Sequence, residues 1–256
     1  MFIHSGPSAS VWPPAMIVWG PGFVSDAHRH HCVQLVMAMK GTLLIRGGRR
    51  DKWLKCGAAL VRPDAIHEID AKGTSVLIVF AESESDFGSA LCDRIEGNIL
   101  PIPPGELARW RRRLGNVLSN SRVDRWVRTE LLRRRRAVEI HPKVNRVIKY
   151  LRESIAVSDD LSLKTLAGIS GLSQSRFMHL FTESVGVPVR PYILWLRLQR
   201  AACELIDGGT VTQAAHSAGF SDAAHLTRTF RRMLGTTPTE LAFRKRTSRG
   251  LGATLT

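Results

Sequence analysis

Residues 166–181 read LAGISGLSQSRFMHLF, and residues 214–230 read AAHSAGFSDAAHLTRTF. The two stretches are weak copies of one another. In the first, Leu163, Leu166 and Ala167 mark the buried side of a short helix, and residues 168–171 make a glycine-bounded turn. Ser173 then stands where a helix N-cap is wanted, because a short side-chain oxygen can accept from an orphan N–H of the next turn. Phe177, Leu180, Phe181 and Val185 follow at the spacing of one buried stripe, while Gln174, Ser175, Met178, His179 and Thr182 fall on the other face. The second copy repeats this layout. Val211, Ala214 and Ala215 line the short helix, residues 218–220 turn, and Ser221 is the expected cap. Leu226, Phe230, Met233 and Leu234 face inward, with Ala224, His225, Arg228, Arg231 and Arg232 facing outward. Gly186 with Pro188, and Gly235 with Pro238, stop the two second helices. Two helix-turn-helix units are predicted, at about 162–183 and 211–234, joined by a helix over 191–206 that ends at Asp207, Gly208 and Gly209.

Outward from this pair, the chain divides into segments. Pro142 is well placed at the first position of a helix whose Val144, Val147, Ile148 and Leu151 share one face. Before it, Leu107, Trp110, Leu114, Val117 and Leu118 keep helical spacing, and Val123, Trp126, Val127 and Leu131 fit a second helix. The prolines at 101, 103 and 104 separate these from an N-terminal part of short apolar runs broken by Gly and Pro. Strands are predicted at 33–39, 42–46, 52–56, 58–61 and 74–80, a spacing that suits a small barrel or sandwich. The fold class expected is α+β and multidomain: a β-barrel or sandwich, a helical linker, and an all-α tandem helix-turn-helix part. The expected bounds are 1–100, 101–138 and 139–246, with a disordered tail at 247–256.

Charge follows the same division. The chain's formal net charge is +15, yet residues 1–99 hold ten basic and ten acidic side chains. Residues 100–138 hold eleven and three, and residues 139–256 sixteen and nine. A basic half attached to a neutral half is the electrostatic footprint of a nucleic-acid binder. The run at 133–136 reads first as a solvated helix end, with phosphate contact as its alternative. A hydrophobic content of 44% and a charged content of 23% exclude a disordered chain. The apolar runs are too short to span a bilayer, and the N-terminus has no secretory pattern, so a cytoplasmic protein with no membrane partner is expected. Cys32, Cys56, Cys92 and Cys203 are scattered and form no CxxC pair, which argues for plain thiols rather than a zinc ribbon or a disulfide framework.

The stretch 219–241, GFSDAAHLTRTFRRMLGTTPTEL, closely resembles the C-terminal signature of AraC/XylS-type transcription regulators, and residues 163–205 match the rest of that domain. The resemblance covers about 100 residues and includes the glycines, the apolar positions and Pro238. It implies two recognition helices entering successive major-groove faces of double-stranded DNA. Carried over by position, the DNA-binding residues are Gln174, Ser175, Met178 and His179 in the first helix, and Ala223, Ala224, His225 and Arg228 in the second, with Arg231 and Arg232 on phosphates. Ala223 and Ala224 lack hydrogen-bonding side chains, so they offer apolar contact such as a thymine methyl wants, and Arg228 suits bidentate contact to guanine. The implied partners are promoter DNA, a small-molecule effector, RNA polymerase and a second copy in a homodimer. No catalysis is expected.

The N-terminal part resembles the cupin motifs, which implies a β-barrel of the jelly-roll kind. Residues 22–41, GFVSDAHRHHCVQLVMAMKG, are similar to the first, with Gln34 where metal-binding members usually carry Glu. Residues 57–67, GAALVRPDAIH, are similar to the second, with one residue fewer between Pro63 and His67 and with Ala65 in place of Gly. On an extended strand His28, His30 and Gln34 share a face, and His67 can meet them from across the barrel. Four readings of this part stay open. It is an effector pocket formed by His28, His30, Gln34 and His67; a divalent-metal site of His28, His30 and His67, with no cofactor the leading expectation; a ligand-free dimerisation scaffold; or a cupin metalloenzyme bearing an accessory DNA-binding domain. Trp12, Trp19 and Trp53 fit a pocket wall, though core packing is their commoner use.

Overall fold

A computed structural model describes residues 15–115, 120–131, 140–155 and 160–240. Trp12, Val117, Leu118, the arginine run at 133–136 and the tail at 247–256 lie outside the described residues. The N-terminal part is built from β1 (Ala15–Pro21), β2 (Cys32–Ala38), β3 (Leu43–Arg46), β4 (Leu54–Cys56), β5 (Ala58–Val61), β6 (Glu68–Asp70), β7 (Ser75–Glu82) and β8 (Ile99–Pro101). They form a five-stranded sheet in the order β1-β7-β2-β5-β8 and a three-stranded sheet in the order β4-β3-β6. Every recorded strand pair is antiparallel. Among the described residues these are two open sheets sharing one core rather than a closed barrel. The central strands β2, β5 and β7 are buried almost throughout, which explains their continuous apolar composition.

The five expected strands are all present, and β1, β6 and β8 are additional. Pro101 does not bar a strand, as the sequence suggested. It closes β8 at the sheet edge, where a missing N–H costs no ladder bond. A short helix, α1 (Asp86–Cys92), was also unsignalled; Ser85 caps it by accepting from the Gly88 N–H. Trp19 is in the core, whereas Trp53 is on the surface with Arg46 4.5 Å over its ring, so neither lines an open pocket.

The middle segment holds α2 (Pro104–Leu114) and α3 (Asn120–Trp126), the latter running into a π-helical turn at Val127–Leu131. Leu107, Trp110, Leu114, Val123, Trp126, Val127 and Leu131 join the same apolar cluster as the sheets. Arg111 fastens α2 to the sheets by donating to the carbonyls of Ala38 and Gly41.

The C-terminal part comprises α4 (Pro142–Ser154), α5 (Leu163–Ser170), α6 (Gln174–Val185), α7 (Val189–Asp207), α8 (Val211–Ser217) and α9 (Ala223–Leu234). Two helix-turn-helix units, α5–α6 and α8–α9, are joined by α7. Their apolar cores are separate. The first unit packs α4, α5, α6 and the N-terminal half of α7 around Phe177, Phe181 and Tyr192. The second packs α8, α9 and the C-terminal half of α7 into the cluster that runs through the β-sheets. Among the described residues, no helix is long and apolar enough to cross a membrane.

Candidate functional site

The outward face of α6 is set by its caps and its buried stripe. The Ser173 hydroxyl accepts from the Arg176 N–H, and Gly186 ends the helix in the left-handed region at φ 81°. With Phe177, Phe181 and Val185 buried, Gln174, Ser175, Met178 and His179 stand exposed. Met178 is a large apolar side chain left 42% open to solvent.

On α9 the cap is Asp222, not Ser221. The Asp222 carboxylate accepts the His225 N–H at 2.6 Å, and that bond, with a second from Ser221, holds its carboxyl below the usual range. Asp outcompetes Ser here because an anion also meets the positive end of the helix dipole. Ser221 instead bonds sideways to Asp222 and lies 3.2 Å from Nδ1 of His225. Ala224, Arg228, Arg231 and Arg232 are exposed. Ala223 and His225 are half-buried, the His225 ring lying edge-on to Phe220 at 5.2 Å. Arg231 places Nε 3.9 Å from Asp26 of the β region.

The structure also gathers His28, His30, Gln34 and His67. All four are buried, and one ligating atom from each of the three imidazoles lies within 4.8 Å of the others. His28 and His67 belong to facing backbone segments that bridge each other, their N–H and C=O groups exchanging bonds of 3.1 and 2.9 Å. Each ring turns Nδ1 to a backbone carbonyl: His28 to Asp26 at 2.8 Å, His30 to Cys32 at 3.1 Å, and His67 to Ala65 at 2.9 Å. A carbonyl only accepts, so Nδ1 carries the proton and a neutral ring keeps its lone pair on Nε2. The Nε2 atoms of His30 and His67 lie 2.7 and 2.8 Å from the Gln34 side-chain amide. It is the amide oxygen, Oε1, that faces both nitrogens.

Burial keeps the rings neutral. It pushes His28 down to about 3, with His30 adding to the effect, and lowers His30 as well. His67 is driven well below the ordinary value by burial and then by the other two rings. Three neutral imidazoles oriented through Nδ1–H to carbonyls fit a divalent transition metal, with the Gln34 oxygen as a weaker fourth donor. His30 also lies 5.2 Å from Phe80 and 6.1 Å from Trp195 of α7, so one wall of the cluster belongs to the helical region.

One group of functional interest carried no sequence signal. At the end of β7 the buried Glu82 carboxylate accepts from Arg152 of α4 at 2.6 Å and from Tyr192 of α7 at 3.0 Å. Gln199 of α7 donates to its other oxygen at 3.4 Å. Partners separated by 70 to 117 positions cannot be paired from spacing. The only hint was two acids, Glu82 and Glu84, directly after an apolar run.

A family model described as a helix-turn-helix domain matches residues 166–246. An uncharacterised HTH-type transcriptional regulator of Staphylococcus aureus is 36% identical over 97 residues, which is 38% of this chain and 13% of that relative's length. The chain thus aligns with only a small part of that curated relative. A probable transcriptional regulator, LumQ of Photobacterium leiognathi, is 29% identical over 100 residues, covering 39% of this chain and 38% of LumQ. Among solved structures, apo ToxT of Vibrio cholerae superposes over 90% of this chain and 97% of its own, at a TM-score of 0.58 and 10% identity. ToxT solved with an unsaturated fatty acid bound covers 90% and 95% at 0.54 and 11%. The ToxT likeness shows a shared two-part fold, sheets followed by helices. The C-terminal region is a helix-turn-helix domain, and the sequence relatives it matches are named as transcriptional regulators.

Proposed function

We propose that this chain is a sequence-specific DNA-binding transcription regulator of the AraC/XylS kind, answering to a small effector sensed by its N-terminal region. The observation that carries the reading is the pair of solvent-exposed stripes on α6 and α9, each on the second helix of a capped helix-turn-helix. A recognition helix buries one face and offers the other to base edges in the major groove. Gln174, Ser175, Met178 and His179 read one segment of the operator; Ala223, Ala224, His225 and Arg228 read the next, with Arg231 and Arg232 on phosphates. Residues 139–246 act as the reader, 1–100 as the sensor and 101–138 as a connector that also serves a homodimer. Promoter DNA and RNA polymerase are the macromolecular partners, and the site of action is the cytoplasm.

Mapping the bound sites across the genome of the source cell, followed by footprinting of a bound promoter, tests this reading. Protection of a defined sequence in the micromolar range or below supports it. Uniform coating of unrelated DNA refutes it in favour of an architectural binder.

The convergence of His28, His30 and His67 favours a divalent transition metal as the signal sensed. Repeating the footprint after chelation, and again after adding Co2+ or Zn2+, tests that reading. An unchanged footprint and no bound metal would remove it and leave an organic effector.

A further inference from the structure

We infer that residues 25–31 of the β region set the relative placement of the two recognition helices, so that Asp26, His31 and Gly235 decide which operator spacing the chain accepts. The inference rests on the DNA-reading role proposed above. The two helix-turn-helix units have separate apolar cores, and α7 is the one helix that belongs to both. Two bodies joined by a single rod keep freedom to bend and twist about it. Further ties through the sheets remove that freedom: the Glu82 contact with Arg152 and Tyr192 is one, and the short segment before β2 supplies another, at the recognition helices themselves.

Its contacts with the helical region fall on the last residues of both readers. The Asp26 N–H donates to the Gly235 carbonyl at 2.8 Å, and Gly235 is the left-handed cap of α9 at φ 64°. The approach is so close that a Cβ on Gly235 would fall 2.5 Å from both the Asp26 oxygen and Nδ1 of His28. Five residues on, His31 places Nε2 3.2 Å from the carbonyl of Val185, the last residue of α6. The same ring is fixed to the β region through Asp64 at 3.0 Å and Ser83 at 3.0 Å. His28 and His30, lying between these, are buried in the histidine cluster. One segment therefore holds the C-terminal end of each recognition helix while its inner side chains are packed in the sheets.

Readers set one helical turn apart see base pairs stepping by about 3.4 Å, so a small change in their separation shifts the preferred spacing by a base pair. These residues touch no base; they are positioning residues, and spacing is the readout that isolates them. The full chain is used to select duplexes from a random library, and Kd is then measured on the selected site with its halves moved one base pair closer or farther. The variants are His31→Ala, His31→Gln, which keeps an N–H donor, and Gly235→Asn, which tolerates the left-handed cap while its Cβ forces the segment away. Wild type is expected to prefer its own spacing by about tenfold or more, in line with a misplaced contact. His31→Ala and Gly235→Asn are expected to select the same half-site sequences with that preference reduced to about twofold, and His31→Gln to restore it. Should Gly235→Asn not fold, the two His31 variants decide the matter. A wild-type spacing preference in His31→Ala overturns the inference and assigns spacing to α7 and the Glu82 contact with Arg152 and Tyr192. Equal weakening at all spacings overturns it too, marking a merely structural contact. If wild type enriches no sequence, the DNA-reading role itself fails, an outcome separable from the other two.

Discussion

Arg228 projects from the exposed stripe of α9, one turn beyond the capped end that a major groove would meet first. Its neighbours Ala223 and Ala224 can contribute only apolar contact, so discrimination at that half-site falls mainly to the guanidinium. Arg228→Ala is expected to cost about 1–3 kcal/mol on the selected duplex and much less on random DNA, measured by titration at fixed salt. Equal weakening on both would make Arg228 a phosphate clamp. In the β region, Glu84 is a carboxyl driven well above its ordinary value by burial, with the charge of Glu82 adding to it. The folded chain therefore keeps a proton that the unfolded chain releases near pH 4.5. Above that pH the folded state binds more protons than the unfolded one, so this group makes stability fall as pH rises, until the folded carboxyl itself ionises. Glu84→Gln, neutral at every pH, is expected to flatten that decline and to be the more stable protein at pH 8 in urea melts. An unchanged pH slope would show that Glu84 is ionised in the fold.

Elements were legible in proportion to how local their causes are. Both helix-turn-helix units were readable because caps, turns and stripes lie within a dozen residues of each other. The exception is instructive: Ser221 looked like the cap of α9, but the chain starts the helix one residue later and uses Asp222. Asp222→Ala should lower the melting temperature, while Ser221→Ala should leave it nearly unchanged, compared by thermal melts. A reversed order would restore the cap read from the sequence. Strands β1, β6 and β8 went unread for a different reason. β6 and β8 are three residues each, too short to show alternation, and β1 is defined by its pairing with β7 some sixty positions later. The histidine cluster was half legible. Alternation gave His28, His30 and Gln34 one face, but nothing local states that Gln34 lies within hydrogen-bonding reach of both His30 and His67.

For the whole molecule, the division of the cores matters more than the division of the sequence. The second helix-turn-helix shares its apolar cluster with the sheets and with α2, while the first has its own. Native-state hydrogen exchange is therefore expected to place α9 amides in the same opening unit as β2 and β7, with α6 opening separately and at lower free energy. Protection of α6 and α9 that rises and falls together, apart from the sheets, would contradict this grouping.

Trp195 limits how such chains can be recombined. It sits in α7, well inside the helical region, yet it packs against Phe80 and His30 of the sheets. The seam that genetic shuffling would choose, in the chain just before α4, is therefore not the seam along which the molecule comes apart. A hybrid joined there would bring a foreign surface to the histidine cluster and leave Phe80 facing a mismatch. Sensor and reader of this chain can be traded only together with the face of α7 that lies between them.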